Sequence, residues 1–429
     1  MKKNKFVLST IILIIGGFVT KILGMLIKIV MTRTVGTTGI GLYMLINPTF
    51  ILLISLSTLG LSTAISKLVA ENNRNNKKLV FSAIFITIIV NILLMFIVFL
   101  FAGDITNLLK DDRVYYPILS IALVLPFISI SSILRGYFFG KEKVLPHVIS
   151  NIFEDITRLI SIVLFIPFFI KKGITYAVSF LVLSNIISEL SSIIILFLFL
   201  PKNFKLTKND IKPSTTNIKD LLSISIPSTG SRLIGSIGLF FEPIILTYFL
   251  TKNGFTNDYI VSSYGTLNGI VMPLILLPSF FTGAISQALL PVISRFYSSN
   301  KLIEVRKKIK QAIFYSLLIG IPVTILFITI PEVPLKIIYN TTEGISYIRF
   351  LSVICLLHYI QSPLTATLQG MGKASVAMNG TLIGMIIRTI SLIIFCNLNL
   401  GIWSLIFASS INIFYVTIHH IIYTIKLTK

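Results

Sequence analysis

Long apolar stretches alternate with short polar segments along the whole chain. Each of the twelve stretches is long enough to form a helix of about 20 residues, the length that crosses a hydrocarbon core of roughly 30 Å. A transmembrane β-barrel would instead show alternating segments of about 10 residues. The pattern therefore predicts an all-α integral membrane protein. The predicted helices are 6–31, 44–68, 79–102, 115–139, 147–170, 174–200, 221–250, 260–293, 309–331, 345–369, 374–396 and 401–425.

The composition supports this prediction. Hydrophobic residues make up 55% of the 429 residues, charged residues only 12%, and the mean hydropathy is +0.93, whereas soluble domains carry about 25% charged residues. The first stretch is longer than the apolar region of a signal peptide, so we expect it to stay as the first membrane helix. The two cysteines lie in apolar stretches and indicate no disulfide framework, metal site or other cofactor.

The basic residues concentrate in the loops on one side of the predicted membrane. The chain has 37 Lys and Arg against 15 Asp and Glu, a formal net charge of +22. Alternate loops and both termini carry 22 Lys and Arg, whereas the loops on the other side carry 7. The positive-inside rule explains this asymmetry without nucleic-acid binding. We expect a multi-pass protein of the bacterial plasma membrane with both termini in the cytoplasm.

Short motifs recur in the same order in the two halves of the chain. Their offsets are 211, 228, 232 and 230 residues, as seen for Thr20–Gly24 with Ser231–Gly235, Ile65–Lys67 with Ile293–Arg295, Gly140–Lys141 with Gly372–Lys373, and Arg158–Ser161 with Arg388–Ser391. Both halves would start from the cytoplasm. The sequence thus predicts two six-helix bundles related by a parallel pseudo-two-fold repeat, a transporter architecture. The predicted domains are residues 1–200, a cytoplasmic linker 201–220, and residues 221–429.

Several basic residues fall inside the predicted membrane helices. Charges at that depth are costly and usually face a cavity or a partner. Lys21 and Lys28 are seven residues apart on one face of the first helix, and Arg232 and Arg388 lie deep in the seventh and eleventh helices. Arg and Lys form charge-assisted hydrogen bonds with phosphate oxygens. We predict that these four residues bind an anionic substrate.

A second group of membrane-embedded charges is mainly acidic and comprises Glu154, Arg158, Glu189 and Glu242. Glu154 and Arg158 are four residues apart, so they either form an internal ion pair or take part in function. Glu242 precedes Pro243, where a helix bend is expected. It either couples transport to H⁺ or Na⁺, or it reaches the outer interface of the bilayer or forms an ion pair with a lysine.

Short motifs throughout the chain resemble one family of membrane proteins. The chain is similar to the stage V sporulation protein B family at Lys21–Gly24 with Lys28, Gly39–Tyr43, Ala64–Glu71, Leu134–Phe138, Glu154 with Arg158, Met272–Leu274 and Leu368–Lys373. This family belongs with polysaccharide exporters, lipid II flippases and multidrug and toxin extrusion transporters. The resemblance implies a central cavity, alternating access, and a cationic residue at Lys21 lining the cavity.

The resemblance and the buried cations together predict a flippase. Its substrate would be a lipid-linked saccharide, carried on undecaprenyl pyrophosphate from the cytoplasmic to the outer leaflet for cell-wall, spore-cortex or surface-polysaccharide synthesis. The twelve predicted helices are two fewer than in lipid II flippases, which leaves a different linked saccharide open. The alternative is a multidrug or cation antiporter, for which we expect mainly acidic cavity residues. We expect no enzyme activity, because the sequence has no clustered carboxylates and no large loop.

Overall fold

A computed structural model describes residues 2–71, 75–200 and 207–428. In these ranges the regular structure is entirely helical, as predicted. The α-helices are α1 Lys2–Thr58, α2 Leu61–Glu71, α3 Asn76–Leu109, α4 Tyr115–Gly140, α5 Val144–Ile170, α6 Ile174–Leu198, α7 Lys208–Ile211, α8 Thr215–Lys252, α9 Asn257–Gly265, α10 Met272–Ile275, α11 Ser279–Ser298, α12 Leu302–Thr329, α13 Glu332–Tyr339, α14 Ile345–Gly370, α15 Ala374–Asn397 and α16 Trp403–Thr428. A 3₁₀ turn, Asp112–Val114, precedes α4, and a π-helical turn, Thr266–Val271, joins α9 to α10.

The described helices include 8 that are long and apolar enough to cross a membrane, or up to 10 if each of two bent pairs counts as one crossing. The bent pairs are the two parts of α8, at 44°, and Asn257–Ile275 with Ser279–Ser298, at 53°. Helix α5 is not among them, because Glu154, Asp155 and Arg158 raise its charge. It nevertheless has the length of a membrane span.

The first two predicted helices lie in one long helical run. The run Ile11–Glu71 has 61 residues and would extend about 90 Å if straight, roughly three times the thickness of the hydrocarbon core. Gly36 interrupts it with φ 69° and ψ −176°, a backbone conformation that glycine adopts without steric cost. With this run counted as two segments and α5 included, the helices correspond to the twelve that the sequence predicts.

The helices form two compact units, Met1–Pro243 and Ile244–Lys429. The predicted domain limits at 200 and 221 stay a prediction, and residues 201–206 of the predicted linker lie outside the described residues. The division falls within α8, so this helix contributes its first 29 residues, 215–243, to the N-terminal unit.

The same helix neighbours recur in both units. In the N-terminal unit α4 packs against α2, α3 and α6, and in the C-terminal unit α14 packs against α11, α12 and α16. Hydroxyl pairs join equivalent helices, Ser57 to Ser129 in one unit and Ser286 to Ser362 in the other. The glycines that end α4 and α14, Gly140 and Gly370, both lie against the backbone of the neighbouring helix. These shared contacts confirm the predicted internal repeat.

Large apolar side chains cover the outward faces of the helices. In α3, Phe96 is 60% exposed and Leu100 59% exposed, whereas Asn91 of the same helix is buried. Buried Asn91 accepts a hydrogen bond from Ser57 at 2.6 Å. Exposed apolar faces over buried polar contacts are what a lipid environment requires, since a polar group in lipid needs an internal partner.

Candidate functional site

A cluster of basic side chains lies where α1 meets α5 in the N-terminal unit. Arg158 of α5 donates from Nη2 to the Tyr43 hydroxyl of α1 at 3.2 Å, and its Nε is buried without a hydrogen-bond partner among the described residues. The charges of Lys28 and Arg158 act on one another. The structure therefore brings together two of the predicted site residues, from two different helices.

Lys21 and Lys28 extend this cluster along α1. Both side chains are exposed, whereas Ile27 and Met31 of the same helix are buried. Seven residues of helix separate the two amines by about 10 Å along one face. This face can present several donors to an extended anion. Asp155, one turn from Arg158, is an acidic group whose charge interacts with that guanidinium.

The predicted acidic residues Glu154 and Glu189 meet at a different arginine. Arg135 Nη2 of α4 forms a salt bridge with Glu154 Oε2, lies 3.4 Å from Glu189 Oε2 and donates to Ser192 Oγ at 2.7 Å. The Ser131 hydroxyl donates to Glu189 Oε2. We name Ser131, Arg135, Glu154, Glu189 and Ser192 the carboxylate cluster.

This cluster differs from the ion pair that the spacing within α5 suggested. Helix α4 packs against both α5 and α6, so Arg135 reaches Glu154 from a neighbouring helix, while the Arg158 side chain instead contacts Tyr43. Sequence reasoning missed Arg135 and Ser131 as partners. Their spacing of four residues on α4 places them on one helix face, which was the available signal.

Arg232 occupies another part of the N-terminal unit. Its side chain is exposed, and a Cβ built on Gly60 would lie 2.5 Å from its Nη2. Gly60 follows α1 and has φ 62°. One turn after Arg232, the hydroxyls of Ser236 and Ser55 lie 3.1 Å apart. Arg232 thus lies close to the break between α1 and α2.

The remaining two predicted residues lie elsewhere. Arg388 is half-buried in α15 of the C-terminal unit. Glu242 is half-buried in α8, next to Pro243, where the N-terminal unit ends. Residues 2–71, 75–200 and 207–428 contain no group of three or more His, Cys, Asp or Glu that could hold a metal ion.

Sequence comparisons place these residues in a known family. The family described as Polysaccharide biosynthesis protein matches residues 6–297, and the MatE family matches residues 233–394. Stage V sporulation protein B of Bacillus subtilis (strain 168) is 36% identical over 401 residues, which is 91% of this chain and 77% of the relative. Lipid II flippase MurJ of the same organism is 23% identical over 433 residues, 90% of this chain and 76% of the relative.

Solved structures share the fold. An inward-facing multidrug resistance MATE family transporter of the MOP superfamily matches with a TM-score of 0.76 at 16% identity, over 95% of this chain and 94% of that chain. A MOP superfamily transporter from Pyrococcus furiosus, described as having a binding pocket of reverse polarity, matches with a TM-score of 0.60 at 17% identity, over 99% of this chain and 96% of that chain. The predicted fold class is confirmed, and the chain belongs to the polysaccharide biosynthesis protein family of multi-pass membrane proteins.

Proposed function

We propose that this protein is a flippase for a lipid-linked saccharide, carried on undecaprenyl pyrophosphate. It would move the substrate from the cytoplasmic to the outer leaflet of a bacterial plasma membrane by alternating access. The support from relatives is direct, because the similar chains include a stage V sporulation protein and a lipid II flippase. The pathway it serves would be cell-wall, spore-cortex or surface-polysaccharide synthesis.

The observation that carries this proposal is the basic cluster of Lys28 and Arg158 on α1 and α5. A pyrophosphate presents several acceptor oxygens, which ammonium and guanidinium groups bind through charge-assisted hydrogen bonds. The buried Nε of Arg158 has no hydrogen-bond partner among the described residues, so it is a donor still available to a ligand. Lys21, on the same face of α1, would bind the far side of the headgroup. Arg232 and Arg388 are further candidates for the headgroup.

A cationic drug would not be attracted to the same cluster. Antiporters of cationic compounds need acidic residues at the substrate, whereas the charged side chains described on α1, which include Lys21 and Lys28, are all basic. The flippase is therefore favoured over the multidrug antiporter. In this proposal both termini lie in the cytoplasm, because the loops on that side carry 22 of the Lys and Arg residues counted above.

The carboxylate cluster is our candidate for ion coupling. Arg135 contacts both Glu154 and Glu189, so two carboxylates share one guanidinium. A proton taken up by this pair would relieve their mutual repulsion. We propose that H⁺ binding here biases the transport cycle, with Na⁺ as the other candidate ion and Glu242 as a second candidate residue. A proton gradient should then accelerate flipping by the wild type and have no effect on Glu189→Gln.

Reconstituted vesicles test the proposed substrate site. A fluorescent undecaprenyl-pyrophosphoryl saccharide is quenched in the outer leaflet by a membrane-impermeant reductant, and the rate of loss of the protected fraction reports flipping. Losing one charge-assisted bond costs about 1.5–3 kcal/mol, so Lys28→Ala should weaken the apparent affinity roughly 10- to 100-fold.

Matched variants make the result specific. Lys28→Arg keeps the charge and should retain most activity, and Lys172→Ala, which removes an exposed lysine after α5, should behave as wild type. Full activity in both Lys21→Ala and Lys28→Ala would contradict the proposed site.

A further inference from the structure

The C-terminal unit contains a cavity of about 450 Å³ between α11, α14, α15 and α16. This volume lies in the range of small-molecule sites, roughly 300–1,000 Å³. Small-molecule sites are mostly apolar with a few placed polar groups, and the lining surface of this cavity is likewise mostly apolar. Of its 14 lining residues, 11 are Ser, Thr, Gln or His, and the other three are Gly, Leu and Ala. The described lining therefore has abundant hydrogen-bonding groups and no Asp, Glu, Lys or Arg.

Two helices supply most of these groups as polar stripes. On α14, His358, Gln361, Thr365 and Gln369 follow one another at intervals of three or four residues, so they share one face. Helix α11 contributes Ser279, Thr282 and Ser286 at the same intervals of three and four residues, and the adjacent Gln287 also lines the cavity. In membrane helices, polar side chains are expensive unless they face a partner or a cavity, so both stripes are evidence of a built site.

Part of the lining is held in place by hydrogen bonds within the protein. Ser286 Oγ and Ser362 Oγ lie 2.8 Å apart. The buried His420 side chain places Nε2 3.3 Å from the Ala377 carbonyl and Nδ1 3.4 Å from Thr365 Oγ1. These bonds fix the walls of the cavity on α11, α14 and α16.

Other groups in the lining remain available to a ligand. Gln287 and Gln369 are exposed, and their carboxamides form no hydrogen bond with any residue that the structure describes. The buried Ser279 hydroxyl likewise has no partner among the described residues. Each carboxamide offers two N–H donors and a carbonyl acceptor. The site thus presents both donors and acceptors and carries no formal charge on its Ser, Thr and Gln side chains.

From this geometry we infer that the cavity is a binding site for a neutral saccharide, the sugar part of the transported headgroup. Sugars present a dense set of hydroxyl and amide groups that both donate and accept hydrogen bonds, as this lining does. The inference rests on the proposed flippase function, and it assigns the sugar to this cavity of the C-terminal unit. A site without lysine or arginine does not suit a phosphate, and one without carboxylates does not suit a cation.

Direct binding to the full-length protein in detergent tests this assignment. The probes are N,N′-diacetylchitobiose as the neutral saccharide, inorganic pyrophosphate as the anion and tetraphenylphosphonium as the cation, each titrated by calorimetry. The double variant Gln287→Leu/Gln369→Leu removes the two unpartnered carboxamides, and its fold is expected to survive because neither group bonds to the protein. Chitobiose affinity should fall roughly 10-fold or more, as expected for two neutral hydrogen bonds.

Control variants separate this inference from the proposed function. Gln311→Leu removes a glutamine of α12 that does not line the cavity and should leave chitobiose affinity unchanged. When Gln369 of the double variant is replaced by Asn instead of Leu, part of the lost chitobiose affinity should return. Pyrophosphate affinity should fall roughly 10- to 100-fold in Lys28→Ala and stay unchanged in the double glutamine variant. If the wild type does not bind pyrophosphate, the proposed phosphate site on α1 and α5 is rejected, while the saccharide site is not. Two results would overturn this inference: no saturable chitobiose binding to the wild type up to millimolar concentration, or equal chitobiose affinity in the wild type and the double variant.

Discussion

Removal of Arg135 tests whether the carboxylate cluster stabilises the N-terminal unit. Arg135 contacts Glu154, Glu189 and Ser192. The Glu189 side chain is only 7% exposed, and the Arg135 side chain 18% exposed. Arg135→Met keeps much of the side-chain volume but leaves two carboxylates without the guanidinium that they share.

The expected cost follows from the burial of these groups. Breaking a buried ion pair by removing one partner costs about 3–5 kcal/mol. Because the Glu154 side chain is 22% exposed, water stabilises part of its charge, and we expect the lower end, about 3 kcal/mol. The triple variant Arg135→Met/Glu154→Gln/Glu189→Gln also removes both carboxylates. Its stability should lie within about 1 kcal/mol of the wild type, because no uncompensated charge remains.

Thiol labelling during unfolding measures each unit separately. Ser184→Cys introduces a fully buried thiol into α6 of the N-terminal unit, and the native Cys355 and Cys396 are buried in the C-terminal unit. Peptide mass spectrometry resolves labelling at the three positions, and each labelling rate reports the free energy of opening around that thiol.

The two outcomes are distinct. Arg135→Met should accelerate labelling at position 184 by about 100-fold, the factor that corresponds to roughly 3 kcal/mol, with little change at Cys355. An unchanged rate at position 184, or a triple variant as unstable as the single one, would refute the charge-compensation argument.

Further predictions concern three other positions. Gly60→Ala should destabilise the N-terminal unit by at least about 1–2 kcal/mol, since φ is 62° and the new Cβ would meet Arg232; the labelling assay measures this, and an unchanged rate contradicts it. Tyr359→Phe leaves the Ile275 carbonyl without its 2.6 Å donor and should cost about 1 kcal/mol in the C-terminal unit, measured at Cys396. The Thr207 N–H holds the pKa of the Asp210 carboxyl below its ordinary value, so Asp210→Asn should destabilise the protein at neutral pH. The difference from wild type should disappear as pH falls through the folded-state pKa, and a difference constant with pH would exclude this.

The Asp210 prediction follows from the sign of the pKa shift. Hydrogen bonds from the Thr207 backbone and hydroxyl and from the Asn75 carboxamide stabilise the ionised carboxylate, so its folded-state pKa is lower than its unfolded one. Its contribution to stability is complete above the ordinary value and is lost as pH falls through the folded-state pKa. Denaturation measured between neutral pH and strong acid covers this window.

Hydropathy alone predicts the helices, because each crossing needs a continuous apolar stretch and the protein has few other ways to span a membrane. It does not predict how the first two helices join. The stretch 32–43 lies between the predicted segments, yet the structure keeps it helical on both sides of Gly36. The polar residues Thr32, Arg33 and Thr34 mark this stretch in the sequence as a loop, whereas in the structure one glycine with a positive φ provides the break.

The charged residues of the site could be found in the sequence but not paired. Depth in the membrane identified Glu154, Arg158 and Glu189, whereas their partners depend on which helices pack together. Arg135 lies five residues from the end of α4, where a basic residue is expected to reach the membrane surface. Only the packing of α4 against α5 and α6 turns it toward the carboxylates.

The polar cavity of the C-terminal unit was missed for a different reason. Its residues are uncharged, and single Ser, Thr and Gln residues are ordinary in membrane helices. The signal was their repetition at intervals of three and four along α11 and α14. That periodicity marks a face, but it does not reveal that two such faces enclose a cavity.

The charge of the transported molecule tests the central claim most directly. Wild-type protein in vesicles would be given, in parallel, a labelled undecaprenyl-pyrophosphoryl saccharide and the cationic dye ethidium, each with and without an imposed proton gradient. We predict movement of the lipid-linked saccharide between leaflets and no protein-dependent movement of ethidium. Transport of ethidium without movement of the lipid would contradict the account and identify the protein as a cation antiporter.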